Sequence, residues 1–306
     1  MKPTPKLAVV VLDWNGGDET LACLNAVYAS RGPTPRVILV DNASRVPVID
    51  EARRRFPSIE VYRNPRNLGY AGGNNVGLRA ALDGGADSVV LLNNDAEVRP
   101  DALGVLASVA AGDERVAAVG ARILRSDDPA RLWMAWGEIT YRQSLVRVAG
   151  KDALDGPAFS RQRDVPWVSG CALLLTRRAV DRIGLLDEEY FAYHEEVDWC
   201  ARARERGLRV VYAPQAVVLH RGEASSGGAY VSRKQYLAAR NMVRFVRRHG
   251  SPGQKLRFAL FLGASLPFQL LRRSLSGEQE GVRLKIRGIA DALRGRPIPR
   301  VDLGLD

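Results

Sequence analysis

Three groups of side chains in this sequence have the types and spacing to do chemistry. The first closes the apolar run VVLLNNDAEV (89–98), where Asn93 and Asn94 precede Asp95. One firm anionic ligand beside neutral oxygens suits a hard divalent ion, Mg2+ or Mn2+, that keeps several waters and shares the phosphate oxygens of a substrate. The same residue types also turn a chain without any ligand. The second group is YFAYHEEVDWCARARERG (190–207), in which Glu195, Glu196 and Asp198 open a helical pattern. Acids in a first helical turn complement the helix dipole. Here Tyr190, Phe191, Tyr193 and Trp199 surround them, and aromatics beside carboxylates suit stacking on a sugar and raise a carboxyl pKa toward that of a useful base. The third is His220, which ends the run AVVLH and precedes the Gly- and Ser-rich RGEASSGG (221–228). A loop of that composition lets an imidazole close on a metal or a diphosphate, although a lone histidine is more often structural.

A fourth stretch, NPRNLGYAGGNNVG (64–77), sets Gly69, Gly72, Gly73 and Gly77 around Asn67, Asn74 and Asn75 just before a helix. Glycines permit close backbone approach, and a helix N-terminus offers N–H groups to phosphate or ribose oxygens. The stretch is neither a GxGxxG fingerprint nor a GxxxxGK[ST] loop. Taken alone it reads equally as a helix-entry loop.

The elements that must position these groups follow from hydrophobic patterning. LAVVVL (7–12), RVILV (36–40), IEVY (59–62), SVVLL (88–92) and RVAAVG (115–120) read as strands, with helices over roughly 18–30, 47–55, 73–82 and 100–111 between them. Continuously apolar strands separated by helices imply a largely parallel sheet covered on both faces, an α/β fold. Ligands bind such sheets beyond the carboxyl ends of the strands. At that edge stand Asp13, Trp14 and Asn15 after the first strand, Asp41 and Asn42 after the second, and Asn93, Asn94 and Asp95 after the fourth. Three polar clusters at one edge make a nucleotide-type site. Beyond it, a strand is expected over 168–175, helices near 177–183 and 195–206, and strands at 209–212 and 216–219. The Pro- and Gly-containing segment 126–166 is expected to join the halves and line the acceptor side.

Charge divides the chain differently. Residues 231–306 hold 16 Lys and Arg against 5 Asp and Glu, whereas residues 1–230 hold 29 of each sign, so a neutral body carries a basic tail. The expected organisation is a catalytic domain over 1–230, with a nucleotide-binding half at 1–125 and an acceptor half at 126–230, followed by a basic helical extension. The tail lacks a recognisable nucleic-acid motif. Its residues 232–249 read as a basic amphipathic helix. The apolar segment 258–271 has only 14 residues and a proline inside, too short to span a bilayer, but suited to the anionic inner face of a membrane. Packing on the catalytic body is the competing reading. The three cysteines, Cys23, Cys171 and Cys200, form no CxxC pair, and free thiols in a reducing compartment are expected. The apolar run Leu7–Leu12 is too short for a signal h-region, so the expected location is cytoplasmic, peripheral to the inner face of the membrane if the tail binds there.

Taken in order, VVVLDWNG, VILVDNAS, NLGYAGGNNVG, LLNNDAEV, the long segment from VSGCALLL to ARERG, VVYAPQAVVLHRG and ARN resemble the family 2 glycosyltransferases of GT-A fold, and within them bacterial rhamnosyltransferase-like enzymes of cell-surface polysaccharide synthesis. The resemblance covers roughly residues 7–248. It implies an inverting, metal-dependent sugar transfer from a nucleotide-diphosphate sugar, dTDP-rhamnose or a UDP-sugar, to a glycan or lipid-linked acceptor. Trp14 and Asp41 would hold base and ribose, Asp95 would be the metal ligand at the last position of a DxD motif, and Glu196 would be the first candidate for general base. Two departures stand out. The DxD is here Asn93-x-Asp95, and Glu196 replaces the aspartate of a Glu-Asp pair, which leaves Glu195 and Asp198 as alternative bases. A nucleotide-sugar or carbohydrate-binding protein without catalysis is the alternative these departures raise. A nucleotidyltransferase lacks its basic triphosphate loop.

Overall fold

The computed structural model describes residues 6–32, 34–222, 233–275 and 279–305. In chain order the elements are β1 (Leu7–Asp13), α1 (Asp18–Tyr28), β2 (Arg36–Asp41), α2 (Ile49–Arg55), β3 (Glu60–Arg63), α3 (Gly69–Asp83), β4 (Ser88–Asn93), β5 (Ala96–Val98), α4 (Ala102–Gly112), β6 (Val116–Arg125), β7 (Leu132–Met134), β8 (Gly137–Ile139), β9 (Val146–Val148), β10 (Arg163–Asp164), β11 (Ala172–Thr176), α5 (Arg177–Ile183), α6 (Glu195–Glu205), β12 (Arg209–His220), α7 (Arg233–His249), α8 (Pro252–Leu275) and α9 (Gln279–Leu293).

The main sheet runs β10-β12-β6-β11-β4-β1-β2-β3. The β4-β1-β2-β3 side is parallel throughout, β6 and β12 are parallel to each other, and β11 lies antiparallel between β4 and β6. Strand β1 shows why its residues are apolar without alternation. Ala8 and Val10 enter a core layer shared with Leu78 of α3, Trp199 of α6 and Phe245 of α7, while Val9 and Val11 enter the opposite layer with Leu24 of α1 and Leu106 of α4. Both faces of each central strand are therefore buried, as a helix-covered parallel sheet requires. Helix α3 lies close on this sheet because Gly77 has no side chain: a Cβ there would sit 2.3 Å from Val10 Cγ1.

Several boundaries differ from the sequence expectation. The two strands expected at 209–212 and 216–219 are one strand, β12, with a register irregularity between Ala213 and Val217 at Pro214, because a proline cannot donate to a ladder. The acidic turn after β4 is followed at once by β5, which pairs antiparallel with β12. The segment 126–166 folds into β7 and β10, which join the main sheet, and the separate β8–β9 hairpin. The apolar segment 258–271 is the middle of α8, with Pro267 inside it. Among the described residues no helix is long and apolar enough to cross a membrane.

The C-terminal helices pack on the rest of the fold. Met242, Val243, Phe245 and Val246 of α7, Phe258 and Leu262 of α8 and Ile289 of α9 belong to the same core layer as β1 and α6. The three cysteines are free and buried. The Gly- and Ser-rich stretch expected to close from His220 lies, over residues 223–232, outside the described residues.

Candidate active site

Two adjoining cavities open beyond the carboxyl ends of β1, β2 and β4. Asn93, Tyr70, Ala192 and Tyr193 belong to both.

The larger, of about 420 Å³, contains Asp95, His220, Glu195 and Glu196. Sheet register brings the first pair together: β12 runs antiparallel to β5 with His220 opposite Ala96, one residue from Asp95. Asp95 Oδ1 lies 3.1 Å from His220 Nε2, and Asn93 Nδ2 is 3.5 Å from the same ring nitrogen. Trp133 stands edge-on to the imidazole at 4.5 Å between ring centres. Burial works against the His220 imidazolium, yet Cys171 and the Asp95 carboxylate raise its pKa. The Asp95 carboxylate, and the His220 ring in its neutral form, fit a divalent ion that takes its remaining ligands from phosphate oxygens and water. Among the described residues no cluster of three or more His, Cys, Asp or Glu is placed to cage an ion unaided.

The acids enter from the other wall. The segment before α6 is contorted, with positive φ at Phe191 (60°), Tyr193 (73°) and His194 (74°), a backbone that costs energy and persists only where its surroundings enforce it. Asn241 of α7 supplies that restraint: its amide Nδ2 lies 2.8 Å from the Tyr190 carbonyl, 2.9 Å from that of Ala192 and 2.8 Å from that of Tyr193. This gives the ARN segment a role that its sequence alone does not disclose. Burial pushes the Glu196 carboxyl up to about 7. Burial, with the Glu196 charge beside it, pushes Glu195 well above the carboxylate range. A group held near neutrality alternates between the two forms a base must take.

Asp198, the third acid considered as base, is elsewhere. Its Oδ2 accepts from Arg202 Nε at 2.7 Å, and its Oδ1 lies 2.8 Å from His249 Nε2 and 3.3 Å from Arg248 Nη1. The side chain is fully buried in this ion network and lines neither cavity. Residues 196 and 198 are two apart on the helix, about 200° around its axis, and so face opposite sides.

The smaller cavity is lined by Trp14, Asn42, Asn67, Gly69, Asn94, Phe191, Arg233 and Leu305, among others. The Asn42 amide Nδ2 donates to Asn67 Oδ1 (2.8 Å) and to the Gly69 carbonyl (3.1 Å), and its Oδ1 accepts from Leu68 N (2.9 Å). Gly69 has φ +73°, and a Cβ there would fall 2.3 Å from the Phe191 carbonyl oxygen. Arg233 covers the Trp14 ring at 4.7 Å.

Other residues expected to touch nucleotide support the site from behind. Asp13 is buried, and its Oδ1 accepts from Gly16 N (2.9 Å), Thr20 Oγ1 (2.7 Å) and Asn94 Nδ2 (3.1 Å), so it ties the first loop to the turn after β4. Asn15 Oδ1 accepts from Arg45 N at 2.8 Å. Asp41 accepts from Ser44 N (2.9 Å), lies 3.1 Å from Arg63 Nε, and does not line the cavity. Asn74 Nδ2 donates to the Tyr70 carbonyl (3.0 Å) and Asn75 Nδ2 to that of Leu186 (2.9 Å). These two are buried on α3 and turned away from both cavities because the glycines beside them hold that helix face against the protein. Tyr70, Trp133, Arg233 and Leu305 line the cavities although no sequence expectation marks them. Asn42 was visible at the strand edge, but Arg233 and Leu305 belong to the tail, and no local pattern connects them to β1.

The family model for glycosyltransferase like family 2 matches residues 4–238, and the chain belongs to that family; it is a glycosyltransferase. The N-acetylglucosaminyl-diphospho-decaprenol L-rhamnosyltransferase of Mycobacterium tuberculosis is 28% identical over 310 residues, covering 92% of this chain and 98% of that one. Among solved structures, S. aureus TarS 1–349 in complex with UDP-GlcNAc has a TM-score of 0.60 at 16% identity, covering 95% of this chain and 82% of that chain. The mannosyltransferase PcManGT from Pyrobaculum calidifontis, in complex with GDP-Man and Mn2+, has a TM-score of 0.58 at 19% identity, covering 99% and 79%. The fold is GT-A.

Proposed function

We propose that this glycosyltransferase inverts configuration while moving a sugar, with rhamnose the first candidate, from a dTDP- or UDP-sugar to a hydroxyl of a glycan or lipid-linked acceptor in cell-surface polysaccharide synthesis. One observation carries the reading: Glu196 and the Asp95–His220 pair share a cavity that adjoins the Trp14, Asn42 and Asn67 cavity through Asn93 and Tyr70.

Trp14 stacks on the base, and Asn42, Asn67 and Asn93 orient ribose and diphosphate. Glu196 takes the proton from the acceptor hydroxyl as that oxygen bonds to the anomeric carbon and the bond to the diphosphate oxygen breaks, which inverts the centre. Asp95, with His220 beside it, would hold Mg2+ or Mn2+, whose charge stabilises the departing diphosphate. Trp133, Val148 and Lys151, from the segment after β6, give the acceptor its wall.

The lipid-linked acceptor and a place on the inner face of the membrane draw on α8. Its Phe258 and Leu262 are buried, while Leu256, Leu260, Phe268, Leu271 and Leu275 stand exposed on the opposite side, an apolar face flanked by Lys255, Arg257 and Arg272 that suits an anionic bilayer surface. Binding of UDP, dTDP and GDP, with and without Mn2+ or Mg2+, to wild type and Asp95→Ala tests the donor site. One nucleotide is expected to bind tightly with metal in wild type alone; binding indifferent to both metal and Asp95 refutes the metal assignment.

A further inference from the structure

Away from the catalytic cavity, a pocket of about 570 Å³ lies between α7 and the end of α9. Arg240, Arg244, Arg247, Arg248 and Arg296 line it, with Glu189 as its one lining carboxylate. Some of this charge is answered from behind: Asp187 lies 2.8 Å from Arg244 and 3.1 Å from Arg248, Glu189 pairs with Arg244, Asp198 lies 3.3 Å from Arg248, and Asp291 lies 3.5 Å from Arg296.

Arg240 and Arg247 are different. Arg240 donates to the carbonyls of Glu189 (3.0 Å) and Arg296 (3.4 Å) and to Asn241 Oδ1 (3.4 Å), and Arg247 to the Ala292 carbonyl (3.1 Å). Neither meets a carboxylate among the described residues. Arg240 is only 8% exposed, and its buried Nε, like that of Arg244, has no partner. Burial, with Arg244 beside it, lowers the Arg240 pKa. A buried guanidinium whose hydrogen-bond partners are all carbonyl oxygens, with the charges of Glu189 and Asp291 acting on it only from a distance, is an unfavourable arrangement that an anion relieves. Several guanidinium forks around one space match the multiple oxygens of a phosphate group better than a single carboxylate does.

We propose that this pocket is a second anion site, taking a phosphate or diphosphate group. It is distinct from the donor site. Lys234 of the catalytic cavity and Arg244 are ten residues apart on α7, about 15 Å at the rise of an α-helix, with Glu189 and the 190–193 segment between the two spaces. The phosphate chemistry has two sources, the headgroup of a membrane lipid and a soluble phosphate. The pocket lies near the start of α8, whose apolar face would carry it to a bilayer.

The test uses the full chain and inorganic pyrophosphate without divalent metal, followed by calorimetry. Wild type and Asp95→Ala are expected to bind alike. Arg247→Glu, at an exposed position, and Arg240→Gln are each expected to weaken binding at least tenfold while donor binding stays unchanged. Flotation with phosphatidylcholine vesicles containing 20 mol% phosphatidylglycerol, an amount on the order that makes a surface clearly anionic, separates the sources. Flotation that falls in Arg247→Glu identifies a lipid headgroup, and flotation unchanged while pyrophosphate binding is lost identifies a soluble phosphate. No pyrophosphate binding by wild type, or wild-type binding by both variants, overturns the proposal.

Discussion

Replacing Asp198 by alanine separates structure from catalysis among the three acids of α6. The carboxylate is fully buried and bonded to Arg202 at 2.7 Å and His249 at 2.8 Å, with Arg248 at 3.3 Å. Arg202 is itself 6% exposed and keeps only the carbonyls of Ile183 and Leu185, both at 2.9 Å, when Asp198 is removed. Breaking a buried pair from one side costs about 3–5 kcal/mol, because the surviving charge stays buried without its counter-ion. Asp198→Asn retains an acceptor and should cost less, on the order of 1.5–3 kcal/mol. The penalty has a pH signature. Although burial raises it, the bonds from His249 and Arg202 leave the Asp198 pKa lowered, so its contribution is present above the unfolded-state value of about 4 and fades as pH falls through the lower folded value. Urea denaturation of wild type and both variants at pH 3 and pH 6 measures this, with nucleotide binding and sugar transfer followed on the folded protein. The gap between wild type and Asp198→Ala should narrow at pH 3. A folded, donor-binding Asp198→Asn of wild-type stability that has lost transfer a hundredfold or more would show that Asp198 is the base and refute this reasoning.

Other perturbations have equally direct readouts. Gly69→Ala places a Cβ against the Phe191 carbonyl at a positive φ, and should lower stability by more than about 1 kcal/mol by denaturation while weakening nucleotide binding. Trp14→Ala should weaken donor binding by about 1–3 kcal/mol, the usual worth of base–aromatic stacking, with kcat at saturating donor little changed in steady-state assays. Leu260→Glu and Leu271→Glu, both on the exposed side of α8, should reduce vesicle flotation and leave the thermal midpoint within a degree or so of wild type, since exposed substitutions usually shift stability by less than about 0.5 kcal/mol.

Much of the framework was legible because its signals are local. Four largely apolar runs mark β1, β2, β4 and β6, the shorter IEVY marks the edge strand β3, and the polar residues after β1, β2 and β4 mark the open edge. What escaped the sequence was side-chain direction and long-range register. Asn67, Asn74 and Asn75 look alike in NLGYAGGNNVG, yet Asn67 faces the cavity from the loop while the other two serve the backbone of Tyr70 and Leu186. Asp13 and Asp41 stand at the right edge, but the Asp13 oxygens and Asp41 Oδ1 accept from neighbouring loops, and Asp41 Oδ2 has no hydrogen bond and faces Arg63 at 3.1 Å. The approach of Asp95 to His220 depends on β5, a strand of three residues hidden in an acidic turn. The basic tail reads as a separate extension because its charge dominates its composition; only packing reveals that Asn241 braces the loop leading into Glu195 and Glu196, and that Arg233 and Leu305 wall the smaller cavity.

The proposed chemistry rests on Glu196, and the rate of sugar transfer by Glu196→Gln, measured beside its donor affinity from pH 5.5 to 8.5, tests it most directly. Wild-type rate should rise with pH through about 7, where burial places the carboxyl, as the basic form accumulates. Glu196→Gln should bind donor as wild type does and transfer about 10²- to 10⁴-fold more slowly, with that rise abolished. Transfer at the wild-type rate, or a pH profile unchanged by the substitution, would contradict the assignment and move the base elsewhere in the cavity.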